Sequence, residues 1–138
     1  MINSRNIDDL LPIVAAKARA FVTACKAQGI DVLITSTLRD GEAQAALYAQ
    51  GRTKPGRIVT NAKAGQSWHN HACAFDFVPV VNGKAMWDDA RTFDRCGEIA
   101  ESVGLEWAGR WTKFKEAAHC QYTGGLTLAD LQNGRRVA

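Results

Sequence analysis

The stretch Ser67-Trp68-His69-Asn70-His71-Ala72-Cys73-Ala74-Phe75-Asp76-Phe77-Val78 decides how this chain is read. From Ala72 onward it alternates as a strand does. Ala72, Ala74, Asp76 and Val78 share one face, while Cys73, Phe75 and Phe77 share the other. Asp76 therefore projects from a face lined by alanines, beside the loop that carries His69. A buried carboxylate without a partner is costly, so a cation is expected nearby, and the small neighbours leave room for it.

Working outward, all three histidines of the chain fall in this stretch or in Glu116-Ala117-Ala118-His119. On a helical turn Glu116 and His119, three residues apart, would meet on one face. Two imidazoles and a carboxylate suit zinc and leave a fourth position for water. Zinc lowers the pKa of bound water from about 15.7 towards about 7, and a carboxylate that is not a ligand can take its proton. Glu116 has the spacing for that role. Spacing alone leaves the alternative open that His69 and His119 are unrelated surface or hydrogen-bonded residues.

The flanking sequence reads as one α+β domain over residues 1–138, with helices packed on a small, largely antiparallel sheet and the metal site on the sheet face. Leu10, Val14, Ala18, Phe21 and Cys25 make one apolar stripe, so residues 8–28 are expected to be helical up to Gly29. Ile30 to Thr37 reads as a buried strand. Asp40 is an N-cap for a helix over Gly41 to Gln50. Residues 51–68 form a long loop with basic Arg52, Lys54, Arg57 and Lys63, which either faces an anionic polymer or is merely solvated. Ala72 to Val81 is a strand, Asn82-Gly83 a hairpin turn, and Lys84 to Trp87 the returning strand. Ala90 to Val103 is a helix, Leu105 to Trp107 a short strand, and Trp111 to Tyr122 is ambiguous. Thr127 with Asp130 opens a last short helix.

Composition narrows the class. The chain has 138 residues, 46% hydrophobic and 22% charged, so it can bury a core without a disulfide or metal. Net charge is +3, too weak to indicate nucleic acid. Leu10 to Ala16 contains Pro12 and is closed by Lys17, so no membrane span or stable membrane insertion is expected. MINSRNIDDLLP lacks the pattern of a signal peptide, which predicts synthesis in a cytoplasm. Cys25, Cys73, Cys96 and Cys120 are scattered and read as free thiols. Cys73 points away from Asp76 as a core residue, and Cys120 diverges from His119.

These residues resemble a known family. Ser67-x-His69-x-x-Ala72-x-Ala74-x-Asp76 is similar to the S-x-H-x-x-G-x-A-x-D motif of zinc D-alanyl-D-alanine carboxypeptidases and phage L-alanyl-D-glutamate endopeptidases. Glu116-x-x-His119 resembles the second motif, and Ser36-Thr37-Leu38-Arg39 with Gln44 the upstream S-x-x-R…Q element. Leu47 to Thr53, Asn61 to Lys63 and Ser67 to Asn70 look most like the endolysin branch, and the likeness covers about residues 10–134.

The resemblance implies that His69, Asp76 and His119 hold Zn2+ and that Glu116 is the catalytic base. It implies that Arg39 binds a substrate carboxylate or steadies the oxyanion, as its fork of donors allows. Gln44, Ser67, Trp68 and Trp111 are candidate substrate contacts. For Gln44 the alternative is a solvated helix face; for Ser67, a local backbone cap; for the tryptophans, packing. Four departures stand out, one of them Glu116 itself, where many endolysin relatives have Asp, so that the base must reach one methylene further. Ala72 replaces the Gly, so a site needing positive φ there should differ locally. His71 replaces an aromatic, and Ala108-Gly109-Arg110-Trp111 is a loose G-G-x-W. The implied reaction is hydrolysis of peptidoglycan stem peptides, preferably between L-alanine and D-glutamate. A D,D-carboxypeptidase or a wall-binding module with structural zinc are the alternatives. The expected partners are the stem peptides and a separate membrane-permeabilising protein, and the chain is expected to act as a monomer at the wall.

Overall fold

Pro12 has no backbone N–H and fits a helix only in its first turn. The helix expected from residue 8 accordingly begins at Pro12, and α1 runs Pro12–Ala27 in the computed structural model, which describes residues 1–137. A separate 3-10 turn, Ile7–Asp9, precedes it. Its stripe is as expected: Val14, Ala18, Phe21 and Cys25 are fully buried. The remaining elements are β1 (Asp31–Ser36), α2 (Gly41–Ala49), β2 (Ala74–Val81), β3 (Lys84–Ala85), α3 (Ala90–Ser102), β4 (Glu106–Trp107), β5 (His119–Gln121) and α4 (Leu128–Gln132).

The sheet order is β1-β2-β5-β4, with β3 also on β2, and every pairing among these strands is antiparallel. β2 is thus the spine. One side of it presents Phe75 and Phe77 to the helices, where Phe21 lies 5.6 Å and 5.0 Å away and Phe93 lies 5.4 Å from Phe77 between ring centroids. Cys25, Cys73, Cys96 and Cys120 are free and lie in this core.

Three readings are corrected. β1 is an edge strand, with Leu33 45% exposed, because among the described residues it pairs only with β2. The returning strand stops at Ala85 rather than reaching Trp87, since Asp89 caps α3 and the chain must turn into it. Asn82-Gly83 does turn the hairpin, both residues at positive φ. The third concerns Ala72. It takes φ 57° and ψ 31°, so the left-handed conformation is kept and an alanine bears its cost rather than the backbone rerouting. Asp40 and the Thr127–Asp130 capping box open α2 and α4 as expected.

Candidate metal centre and cleft

Antiparallel register sets the site. Asp76 is the cross-strand partner of His119, and Ala74 of Gln121, while Phe75 pairs with Cys120 on the core side. Partners share a face, so Asp76, His119 and Gln121 emerge together. Glu106 on β4 pairs with Gln121 and joins them.

His69 arrives from a 3-10 turn, Trp68–His71, rather than from the sheet. Ser67 Oγ accepts from His69 N, and Asn70 Oδ1 accepts from Ser67 N, so Ser67 is the local cap. Left-handed Ala72 then closes the turn, its N–H reaching His69 O, and sends the chain into β2. His69 donates from Nδ1 to the Thr37 carbonyl (2.8 Å), which directs Nε2 at Asp76 Oδ1, 3.1 Å away. His119 presents Nδ1 to the same oxygen at 3.2 Å, while its Nε2 lies 2.8 Å from Gln121 Oε1.

Glu116 and His119 meet through a tight turn, not a helix: His119 N donates to Glu116 O, and the side chains are 3.9 Å apart. Trp107, buried, ties this turn by donating from its indole to Ala117 O at 2.8 Å. It fits because two glycines flank it. A Cβ on Gly97 or Gly109 would lie 2.1 Å from its ring.

The donor set fits a tetrahedral divalent cation. One donor atom from each of His69, Asp76 and His119 lies within 4.8 Å of the other two. Zinc ligands at their usual bond lengths stand about 3.3 Å apart, close to the 3.1 and 3.2 Å separations here. The outer hydrogen bonds point the same way. Each ring spends one nitrogen outward and turns the other on one carboxylate oxygen, where a cation belongs. Burial opposes ionisation of Asp76, but hydrogen bonds and charge from His119 and His69 outweigh it and hold its carboxyl below the usual carboxylate range. Burial likewise opposes a charge on His119, yet Asp76 leads the contacts that leave its pKa raised.

Above the cluster lies a cleft of about 320 Å³, lined among others by Arg39, Ser67, Trp68, Trp111, Glu116 and Val59 of the long loop. Arg39 is braced by Gln44 Oε1 (3.0 Å) and Ser36 Oγ (3.1 Å), while its Nε is buried without a partner among the described residues. Burial pulls the guanidinium pKa down, and Asp76 and Glu116 push back. Gln44 is neither solvated nor on the cleft wall. It is fully buried, and its amide donates to Ala62 O at 2.7 Å, tying Arg39 to the long loop. His71 stands apart from the cluster, with its Nε2 at Gly65 O. The sequence reading missed Gln121 and Glu106. Had residues 119–121 been read as a strand, the two-residue step from His119 would have marked Gln121.

A His/Asp/His cluster on a sheet face, with a further carboxylate in an open cleft, is the arrangement of a metal-dependent hydrolase. A family profile described as D-alanyl-D-alanine carboxypeptidase matches residues 60–122. The chain is 41% identical over 122 residues to the peptidoglycan L-alanyl-D-glutamate endopeptidase CwlK of Bacillus subtilis, covering 82% of this chain and 73% of that protein. It is 32% identical over 120 residues to the L-alanyl-D-glutamate peptidase of Listeria phage A118, covering 85% of this chain and 39% of the phage protein. Among solved structures, the Serratia marcescens L-Ala D-Glu endopeptidase ChiX superposes with a TM-score of 0.66 at 18% identity, covering 89% of this chain and 90% of that one. The vancomycin resistance D,D-pentapeptidase VanY, solved with Zn(II), does so with 0.65 at 15%, covering 90% and 78%. This chain belongs to the D-alanyl-D-alanine carboxypeptidase family of metallopeptidases.

Proposed function

We propose that the chain is a zinc peptidase that hydrolyses the L-alanyl-D-glutamate bond of peptidoglycan stem peptides. The likeness to the Bacillus endopeptidase over 82% of the chain carries this reading, and the family match over residues 60–122 spans the metal cluster and Glu116 of the cleft. His69, Asp76 and His119 would hold the metal. Bound there, zinc supplies a polarised carbonyl and a water of lowered pKa.

The chain's own residues do the rest. Glu116, exposed and 3.9 Å from His119 Nδ1, takes the proton of the attacking water and returns it to the leaving amine. Arg39 lines the cleft and supplies a positive charge for an oxyanion or a substrate carboxylate. Trp68 and Trp111 flank the peptide in the cleft, Ser67 shapes the loop beneath it, and Gln44 positions Arg39. The likeness to a phage peptidase supports action on the wall as a lytic enzyme. We further propose that the chain acts as a monomer and reaches the wall once a separate protein has permeabilised the membrane. Among the described residues no helix is long and apolar enough to cross a membrane.

Mass spectrometry of peptidoglycan fragments after incubation with the zinc-loaded protein tests this, against a chelated control. A new N-terminal D-glutamate, absent after chelation, is the expected result. Loss of terminal D-alanine alone would make the chain a D,D-carboxypeptidase. An intact wall would leave a binding module.

A further inference from the structure

The side chains of Gln121, Glu106 and Trp111 form a chain of hydrogen bonds behind His119. A carboxylate only accepts. Glu106 Oε2 therefore takes the amide N–H of Gln121 at 3.0 Å, and Glu106 Oε1 takes the indole N–H of Trp111 at 3.2 Å. With its nitrogen committed to Glu106, Gln121 turns its oxygen to His119 Nε2 at 2.8 Å, which must then carry the proton. The lone pair of His119 is left on Nδ1, facing Asp76.

We infer that Glu106 and Gln121 are positioning residues that fix the Nδ1-ligating form of His119, and that Trp111 links this chain to the cleft wall. The inference rests on the reading of His119 as a zinc ligand. It extends that reading to Glu106 and Gln121, which act through His119. Gln121 is buried, but Glu106 is exposed, so packing gives it little reason to matter. Trp111 joins the two regions, since its ring lies 5.7 Å from that of His119 and also lines the cleft.

The test measures the zinc dissociation constant by competition with a chromogenic chelator, together with the imidazole 15N shifts of zinc-loaded protein. Gln121→Leu removes the acceptor and should weaken zinc binding about 10-fold or more, as loss of such partners does elsewhere. Glu106→Gln keeps shape but lets the Gln121 amide turn over, so a several-fold loss and altered His119 ring shifts are expected. Gln121→Glu alone sets two carboxylates against each other. The double exchange Glu106→Gln with Gln121→Glu again matches every acceptor with a donor, His119 and the amide at position 106 both donating to the carboxylate at position 121 while Trp111 donates to the amide oxygen at 106, and should bind zinc within about three-fold of the wild type, a coupling only a direct interaction gives. If Glu106→Gln binds zinc like the wild type with unchanged shifts, or the exchange binds no tighter than Gln121→Glu alone, the proposal falls. Should the wild type itself bind no zinc, the metal reading falls instead. Because Glu106 is exposed, its variant remains a folded test even if Gln121→Leu does not fold.

Discussion

The two imidazoles that face Asp76 are held in opposite ways. His69 sits on a 3-10 turn, and its outer nitrogen is held by a main-chain carbonyl, that of Thr37. His119 sits on a strand, and its outer nitrogen is held by a side chain that a further side chain orients. A carbonyl is present whatever residue stands at position 37, so the first ligand depends on backbone path. The second depends on residue identity at two more positions. The same atom of Asp76 is thus approached by one arm that conformation controls and one that substitution controls.

The comparison can be broken most strongly on the His119 arm. Glu116→Gln should retain zinc while peptidoglycan hydrolysis falls about 10²- to 10⁴-fold, the span general-base loss usually covers, measured by turbidity of wall suspensions with zinc content as control. Next comes the support of the turn that carries Glu116. Gly97→Ala drives a methyl into the Trp107 ring, whose indole holds Ala117 O. It should cost about 1–3 kcal/mol in thermal or denaturant unfolding, the usual range for overpacking.

On the His69 arm the expected effect has the other sign. Ala72→Gly relieves a left-handed alanine and should stabilise the protein by about 1 kcal/mol in urea unfolding, with zinc affinity unchanged. An unchanged stability would mean that another strain in the turn, not φ, sets its cost.

The smallest effect lies one step further out on the same arm. Asp40 caps α2 through Ala43 N and also accepts from Ile2 N, and these contacts hold its pKa below the usual carboxylate value. A folded pKa that is depressed gives stability that is present above the unfolded value of about 3.9 and is lost as pH falls through the folded one. The stability advantage of the wild type over Asp40→Asn should therefore be full at neutral pH and shrink below pH ~4, as melting curves across that range would read.

Much of this was legible along the chain because the signals are local. Val14, Ala18, Phe21 and Cys25 follow helical period, Asp40 and Thr127 are caps, and Asn82-Gly83 is a turn. Alternation in β2 put Asp76 opposite Phe75 and Phe77, and the structure keeps that division. The spacing of Glu116 and His119 fits a helical turn, because i and i+3 also meet there. A turn running into β5 satisfies the same spacing, and only the register of β5 on β2 distinguishes them. Gln44 had the look of a surface residue on a helix of mixed pattern. What buries it is the loop at Thr60 and Ala62, sixteen and eighteen residues away.

The sequence by itself determined the donor types, the caps and the side of β2 from which Asp76 emerges, since each follows from steps of two to four residues. Which nitrogen each histidine turns inward, that an alanine stands left-handed behind His69, and that Glu106 reaches His119 through Gln121 were decided only in the tertiary structure. A tautomer is set by the partner of the other nitrogen, and those partners come from strands that meet only when the sheet closes.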